Sequence, residues 1–120
     1  MLKNLCLLLC GLLCHNGFAI ADVPDDQVSE VEHLLAYVEN SGCIFIRNGD
    51  QHSAADSVSH IMKKYDYYRD DIKTTEDFIS YSATKSVLSG KYYTVNCPGS
   101  ETQRTQDWLL AELERYRTVK

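Results

Sequence analysis

Residues 43–50 read CIFIRNGD, and the fold turns on this stretch. Cys43-Ile44-Phe45-Ile46-Arg47 is a short run of β-branched and aromatic residues, and Asn48-Gly49-Asp50 behind it is a strong turn signal. Its counterpart lies far along the chain, where residues 91–97 read KYYTVNC and are stopped by Pro98-Gly99. Two β-rich runs, each with a cysteine at one end, predict a small antiparallel pair. If Cys43 sits opposite Cys97, Phe45 faces Val95 and Arg47 faces Tyr93. Two strands are not stable alone, so helices have to cover them.

The flanking sequence supplies those helices. Pro24 suits the first turn, Asp25 and Asp26 favour its positive end, and Val28, Val31, Leu34, Leu35 and Val38 fall at helical spacing. Gly42 is placed as the stop, so the first helix is expected over 25–41. Ser53 with Asp56 three residues on has the form of a capping box, opening a helix with Ala54, Val58, Ile61, Met62, Tyr65 and Tyr68 on one face that fades near 70–71. Thr74 with Asp77 opens a shorter helix, and Ser100 with Gln103 the last, which carries Trp108, Leu109, Leu113 and Tyr116. Residues 84–90 read as loop. The expected class is α+β: one small domain over 22–120, in the order α-β-α-α-β-α, with a two-stranded antiparallel sheet covered by helices and one disulfide.

The start of the chain is of another kind. Lys3, an apolar run over 5–14, a polar break at His15-Asn16-Gly17 and the small residues of Ala19-Ile20-Ala21 have the layout of a cleavable secretory signal, residues 1–21. The run is half the length a membrane span needs, so no transmembrane anchor is expected after cleavage. Cys10 and Cys14 follow leucines, where a lipid-attachment cysteine wants a small residue, which argues against a lipoprotein. Cleavage removes three of the five cysteines and leaves Cys43 and Cys97. In an oxidising compartment an even pair reads as a disulfide, and the long loop it closes makes it worth about 4 kcal/mol. A metal or redox pair is weaker, because there is no C-x-x-C spacing. A net charge of −5 gives no field that gathers nucleic acid.

Taken together, Phe45-Ile46-Arg47-Asn48-Gly49, His52, Ala55 and His60 resemble the YfeK-like family of small exported bacterial proteins. So do Thr75-Glu76-Asp77-Phe78-Ile79, Ser89-Gly90, Tyr93-Thr94-Val95, the Cys43 and Cys97-Pro98-Gly99 pair, and Trp108-Leu109. The resemblance implies export, a single compact domain, the cysteine pair and the periplasm of a Gram-negative bacterium. That family is a domain of unknown function, so the resemblance implies no reaction, ligand or catalytic residue.

Candidate chemistry gathers at the first turn. Arg47, Asn48 and His52 lie just ahead of a helix start, Tyr93 comes beside Arg47 if the strands pair, and the loop carrying Ser89 enters the second strand nearby. Arginine is a bidentate donor to carboxylate or phosphate, so these five residues are the candidate binding site, for a carboxylate or a glycan end. Against this, turn and cap roles explain Arg47, Asn48 and Ser53 without any ligand. His60 shares a polar flank with Ser57 and Lys64, and His33 sits by Glu30 and Tyr37; neither has an obvious carboxylate to orient it as a base. His33, His52 and His60 show no metal-binding spacing, no nucleophile elbow or phosphate loop occurs, and no cofactor, metal or catalytic residue is assigned. Tyr65, Tyr67 and Tyr68 with Tyr92 and Tyr93 are a candidate aromatic surface. Ser89-Gly90-Lys91-Tyr92-Tyr93 is similar to the loop of periplasmic lysozyme inhibitors, which are β-barrels, whereas this chain reads half helical. The favoured reading is a binding or accessory protein of the cell envelope, with an envelope protein or a peptidoglycan fragment as partner. The alternative is a small hydrolase or transferase using His52 or His60 with Arg47.

Overall fold

Pro24 and the acidic pair behind it open a first helix, α1, Asp25–Glu39, and the structure, a computed structural model, describes the chain from residue 23 to residue 119. The expected signal segment, 1–21, lies outside the described residues. Helix α1 stops two residues short of expectation because its last carbonyls are taken by side chains: Asn40 Nδ2 donates to Ala36 O and Ser41 Oγ to Val38 O. Gly42, at φ +71°, then turns the chain into strand β1, Ile44–Arg47.

The sheet departs from expectation: it has four antiparallel strands, not two, in the order β2-β1-β3-β4. Asn48 and Gly49, both at positive φ (51° and 86°), form a two-residue turn that folds the chain straight back as β2, Asp50–His52. Asp50-Gln51-His52 escapes notice in the sequence because an edge strand with nothing to bury carries no hydrophobic alternation. Strand β3, Thr94–Asn96, pairs with β1, and Phe45 stands opposite Val95 as anticipated. The two residues ahead of β3 are held differently: Tyr92 bridges to Lys85, and Tyr93 N–H donates to Thr84 O. The turn after Cys97 brings Gln103–Arg104 back as β4 against β3. Ser100 with Gln103 is therefore not a helix start. The open edge of β3 takes the backbone of that segment, and the last helix, α4, begins at Thr105 and runs Thr105–Val119.

Two capping patterns do act as caps. Ser53 Oγ accepts from Asp56 N–H at the start of α2, Ala54–Tyr67, and Thr74 Oγ1 from Asp77 N–H at the start of α3, Thr75–Ser82. A single 3-10 turn, Arg69–Asp71, links them. One face of the sheet supplies Phe45 and Val95 to a core shared with Leu34, Leu35, Ile61, Phe78 and Leu109. Cys43 and Cys97 are bonded, with Cα atoms 4.3 Å apart. Away from the sheet, buried Glu30 of α1 receives Arg117 of α4 at 2.7 and 3.0 Å and Thr75 Oγ1 of α3 at 2.6 Å, while Arg117 also reaches Glu76 at 2.7 Å. This clamp ties three helices together beyond their shared core. Among the described residues no helix is long and apolar enough to cross a membrane.

Candidate functional site

The two-residue turn does more than reverse the chain. It carries Arg47 and Asn48 to the mouth of a surface cleft of about 380 Å³, a volume within the usual range for a small-ligand site. Helix α2 forms the second wall. Lys63 and Lys64 lie one turn beyond His60, and Tyr67 and the C-cap residue Tyr68 a turn further on, so all five fall along one stripe of the helix and its end. The third wall is the loop before β3, with Ser86, Val87, Leu88 and then Tyr93.

The loop is fixed to the turn. Ser89 Oγ donates to Asn48 Oδ1 at 2.5 Å, Asn48 Nδ2 to Ser86 Oγ at 3.4 Å, and backbone bonds run from Ser86 N to Lys91 O and from Gly90 N to Ser86 O. Asn48 thus serves as a clip, and a left-handed residue with a short amide is suited to it.

At the floor stands Tyr93, buried along its ring. Lys64 Nζ donates to its hydroxyl at 3.1 Å and to Lys85 O at 2.8 Å, and His60 Nε2 lies 3.2 Å from the same hydroxyl. Burial, and then the positive charge of Arg47, Lys64, His52 and Lys63, push the His60 imidazole down to about 4. It is neutral at pH 7. His60 Nε2 and Lys64 Nζ thus meet at one phenol oxygen, and the imidazole tautomer sets which way the His60–Tyr93 proton lies. Burial, reinforced by Arg47, lowers the Lys64 ammonium below the usual lysine range, and burial raises the Tyr93 phenol despite Arg47.

The charge balance of the cleft is one-sided. Arg69, Arg115 and Arg117 elsewhere each meet a carboxylate. Among the described residues Arg47, Lys63 and Lys64 meet none within 4 Å, and no acid lines the cleft. The cleft is a cationic recess on a chain of net charge −5.

Of the five residues singled out in the sequence, Arg47, Asn48 and Tyr93 line the cleft. Ser89 stands behind it and holds Asn48, and His52 stands beside Arg47, its Nδ1 3.4 Å from Nη2. The tyrosines divide: Tyr65 is wholly buried against Phe78, Tyr67 and Tyr68 line the cleft, and Tyr92 packs under the Arg104 guanidinium 3.8 Å away. Tyr93 is not presented on a protruding loop, and the four-stranded sheet is no barrel, so the lysozyme-inhibitor comparison fails in both respects. His33 does have a carboxylate, contrary to expectation: Glu112, distant in sequence, lies 2.6 Å from its Nε2, with Tyr116 stacked on the ring. Lys63, Lys64, Val87 and Leu88 were not legible as site residues, since lysines on a helix flank and apolar residues in a loop have no periodic signature.

The family of unknown function DUF5329 matches residues 25–117. The chain is 32% identical over 94 residues to a protein of Salmonella typhimurium described as uncharacterized protein YfeK, covering 78% of this chain and 77% of that protein. No solved structure matches it. With the family spanning every element of the fold described above, this chain belongs to DUF5329, the YfeK-like family of unknown function.

Proposed function

We propose that the chain is a binding protein of the cell envelope, exported to the periplasm by residues 1–21, and that its cleft takes the anionic part of a ligand. One observation carries this: Arg47, Lys63 and Lys64 converge on a recess in which no carboxylate neutralises them, while Arg69, Arg115 and Arg117 elsewhere in the same chain are paired. Unpaired cations kept together repel each other, and a site that bears this cost is suited to an arriving carboxylate or phosphate. A peptidoglycan fragment or an acidic segment of an envelope protein supplies such a group. Against the alternative, a hydrolase or transferase, His60 is engaged with Tyr93 and surrounded by cations rather than oriented by a carboxylate.

The test is calorimetric titration of the mature protein with soluble peptidoglycan fragments released by lysozyme. Binding should weaken at least tenfold in Arg47→Gln and Lys64→Gln and fall with added salt. Unchanged affinity in both variants sinks the reading. For the compartment, the intact mass of protein recovered from the periplasm should correspond to residues 22–120 less two hydrogens; a full-length mass refutes export by cleavage.

A further inference from the structure

We infer that the anion this cleft receives is the head of a single-chain amphiphile of the fatty-acid class, a carboxylate at Arg47 and Lys64 with its hydrocarbon chain laid over Tyr67, Val87 and Leu88; this rests on the anion-binding reading above. The walls sort by polarity. Along α2 and its C-cap the order is His60, then Lys63 and Lys64, then Tyr67 and Tyr68, so charge gives way to aromatic surface over roughly 10 Å at the helical rise per residue.

The opposing loop continues the apolar end. Val87 is 71% exposed, Leu88 97% and Tyr67 81%. Isolated exposed apolar residues need no explanation, but three around one recess do. They contribute nothing to the core, and the loop is no loose tether. Ser86, Gly90 and the Ser89–Asn48 clip hold it in place, so Val87 and Leu88 are kept outward. A purely polar anion would use Arg47 and Lys64 and leave this surface in water. An anion carrying a chain uses both ends.

A bilayer surface presents the same chemistry and is the less favoured source. Asp66, Asp70 and Asp71 stand exposed beside Tyr67 and Tyr68, and with a net charge of −5 the chain meets an anionic membrane with repulsion. The recess is also concave, built from three separate segments, which suits one ligand molecule.

The experiment is calorimetric titration of the mature, oxidised protein with acetate, octanoate and dodecanoate below their micelle concentrations, with dodecanol as the uncharged control and phosphatidylglycerol vesicles as the bilayer arm. Affinity should rise several-fold for each pair of added methylenes, dodecanol should bind at least tenfold more weakly than dodecanoate, and vesicles should not bind. Leu88→Asp should weaken dodecanoate at least tenfold with an unchanged circular dichroism spectrum and thermal midpoint, and Arg47→Gln should weaken it comparably. If peptidoglycan fragments bind through Arg47 and dodecanoate does not bind, or binds no better than acetate, the amphiphile inference falls and the anion cleft stands. Binding of dodecanoate that ignores Arg47→Gln overturns the head-group assignment. Binding to vesicles alone overturns the inference in favour of a bilayer, and binding of no anion overturns both readings.

Discussion

Acidification from pH 7 to pH 4.5 should charge His60 in the unfolded chain and leave it neutral in the folded one. The imidazole is held at about 4, by burial first and by Arg47 next, against an ordinary value near 6.5. Because the folded value is the lower one, the unfolded state binds the extra proton. Stability is therefore unaffected above about pH 6.5 and is lost as the pH falls from there towards 4. Undiscounted, a shift of this size is worth roughly 3 kcal/mol; screening at a partly exposed ring reduces that to about 1–2 kcal/mol. Carbon-detected NMR of the imidazole gives the midpoint directly, and urea unfolding at pH 7 and 4.5 gives the stability. His60→Gln should lose about 1–2 kcal/mol less than the parent on acidification. Arg47→Gln should raise the midpoint yet leave it below 6.5, since burial is the larger cause. A bound anion should raise it as well. A midpoint at or above 6.5, or an identical acid loss in His60→Gln, refutes the geometry on which the cleft rests.

Replacing both cysteines, Cys43→Ser with Cys97→Ser, opens a loop spanning 54 positions and should lower the unfolding free energy by about 4 kcal/mol, read by urea denaturation without a change in the native circular dichroism. Arg117→Met removes the guanidinium hydrogen bonds to the buried Glu30 carboxylate and to Glu76 and should cost about 2–3 kcal/mol, less than for a fully buried pair because the guanidinium is partly exposed. Glu30→Gln in that background should recover part of the loss, and no recovery refutes the clamp. Gly49→Val forces a β-branched residue to φ +86° and should cost about 1–3 kcal/mol, with Asn48 losing its grip on Ser89 and Ser86. Amide exchange across residues 86–90 reads that release.

Local chemistry was legible in the sequence where one element decides its own fate. Ser53 and Thr74 cap helices as their spacing indicates, because the partner N–H lies three residues on in the same segment. Ser100 with Gln103 has the same spacing and fails, because the edge of β3 competes for the backbone of that segment, and nothing within the segment signals the competitor. The register of β1 on β3 was legible through the cysteines, and with it the meeting of Arg47 and Tyr93 at the cleft. Polar β2 was not, nor was the His33–Glu112 contact between opposite ends of the chain. The site was half visible for the same reason. Arg47, Asn48 and Tyr93 follow from strand pairing, whereas Lys64 and Leu88 join them only once α2 and the loop are docked in three dimensions.

The disulfide has a topological consequence for the cleft. Every residue lining it, from Arg47 to Tyr93, lies inside the covalent ring closed by Cys43 and Cys97, and helices α1 and α4 lie outside. Opening the ring removes a covalent constraint shared by every wall of the cleft; where that lowers ligand affinity, linkage requires ligand binding to make the bond harder to reduce by the same factor. Titrating ligand affinity against reductant measures both sides of that linkage at once.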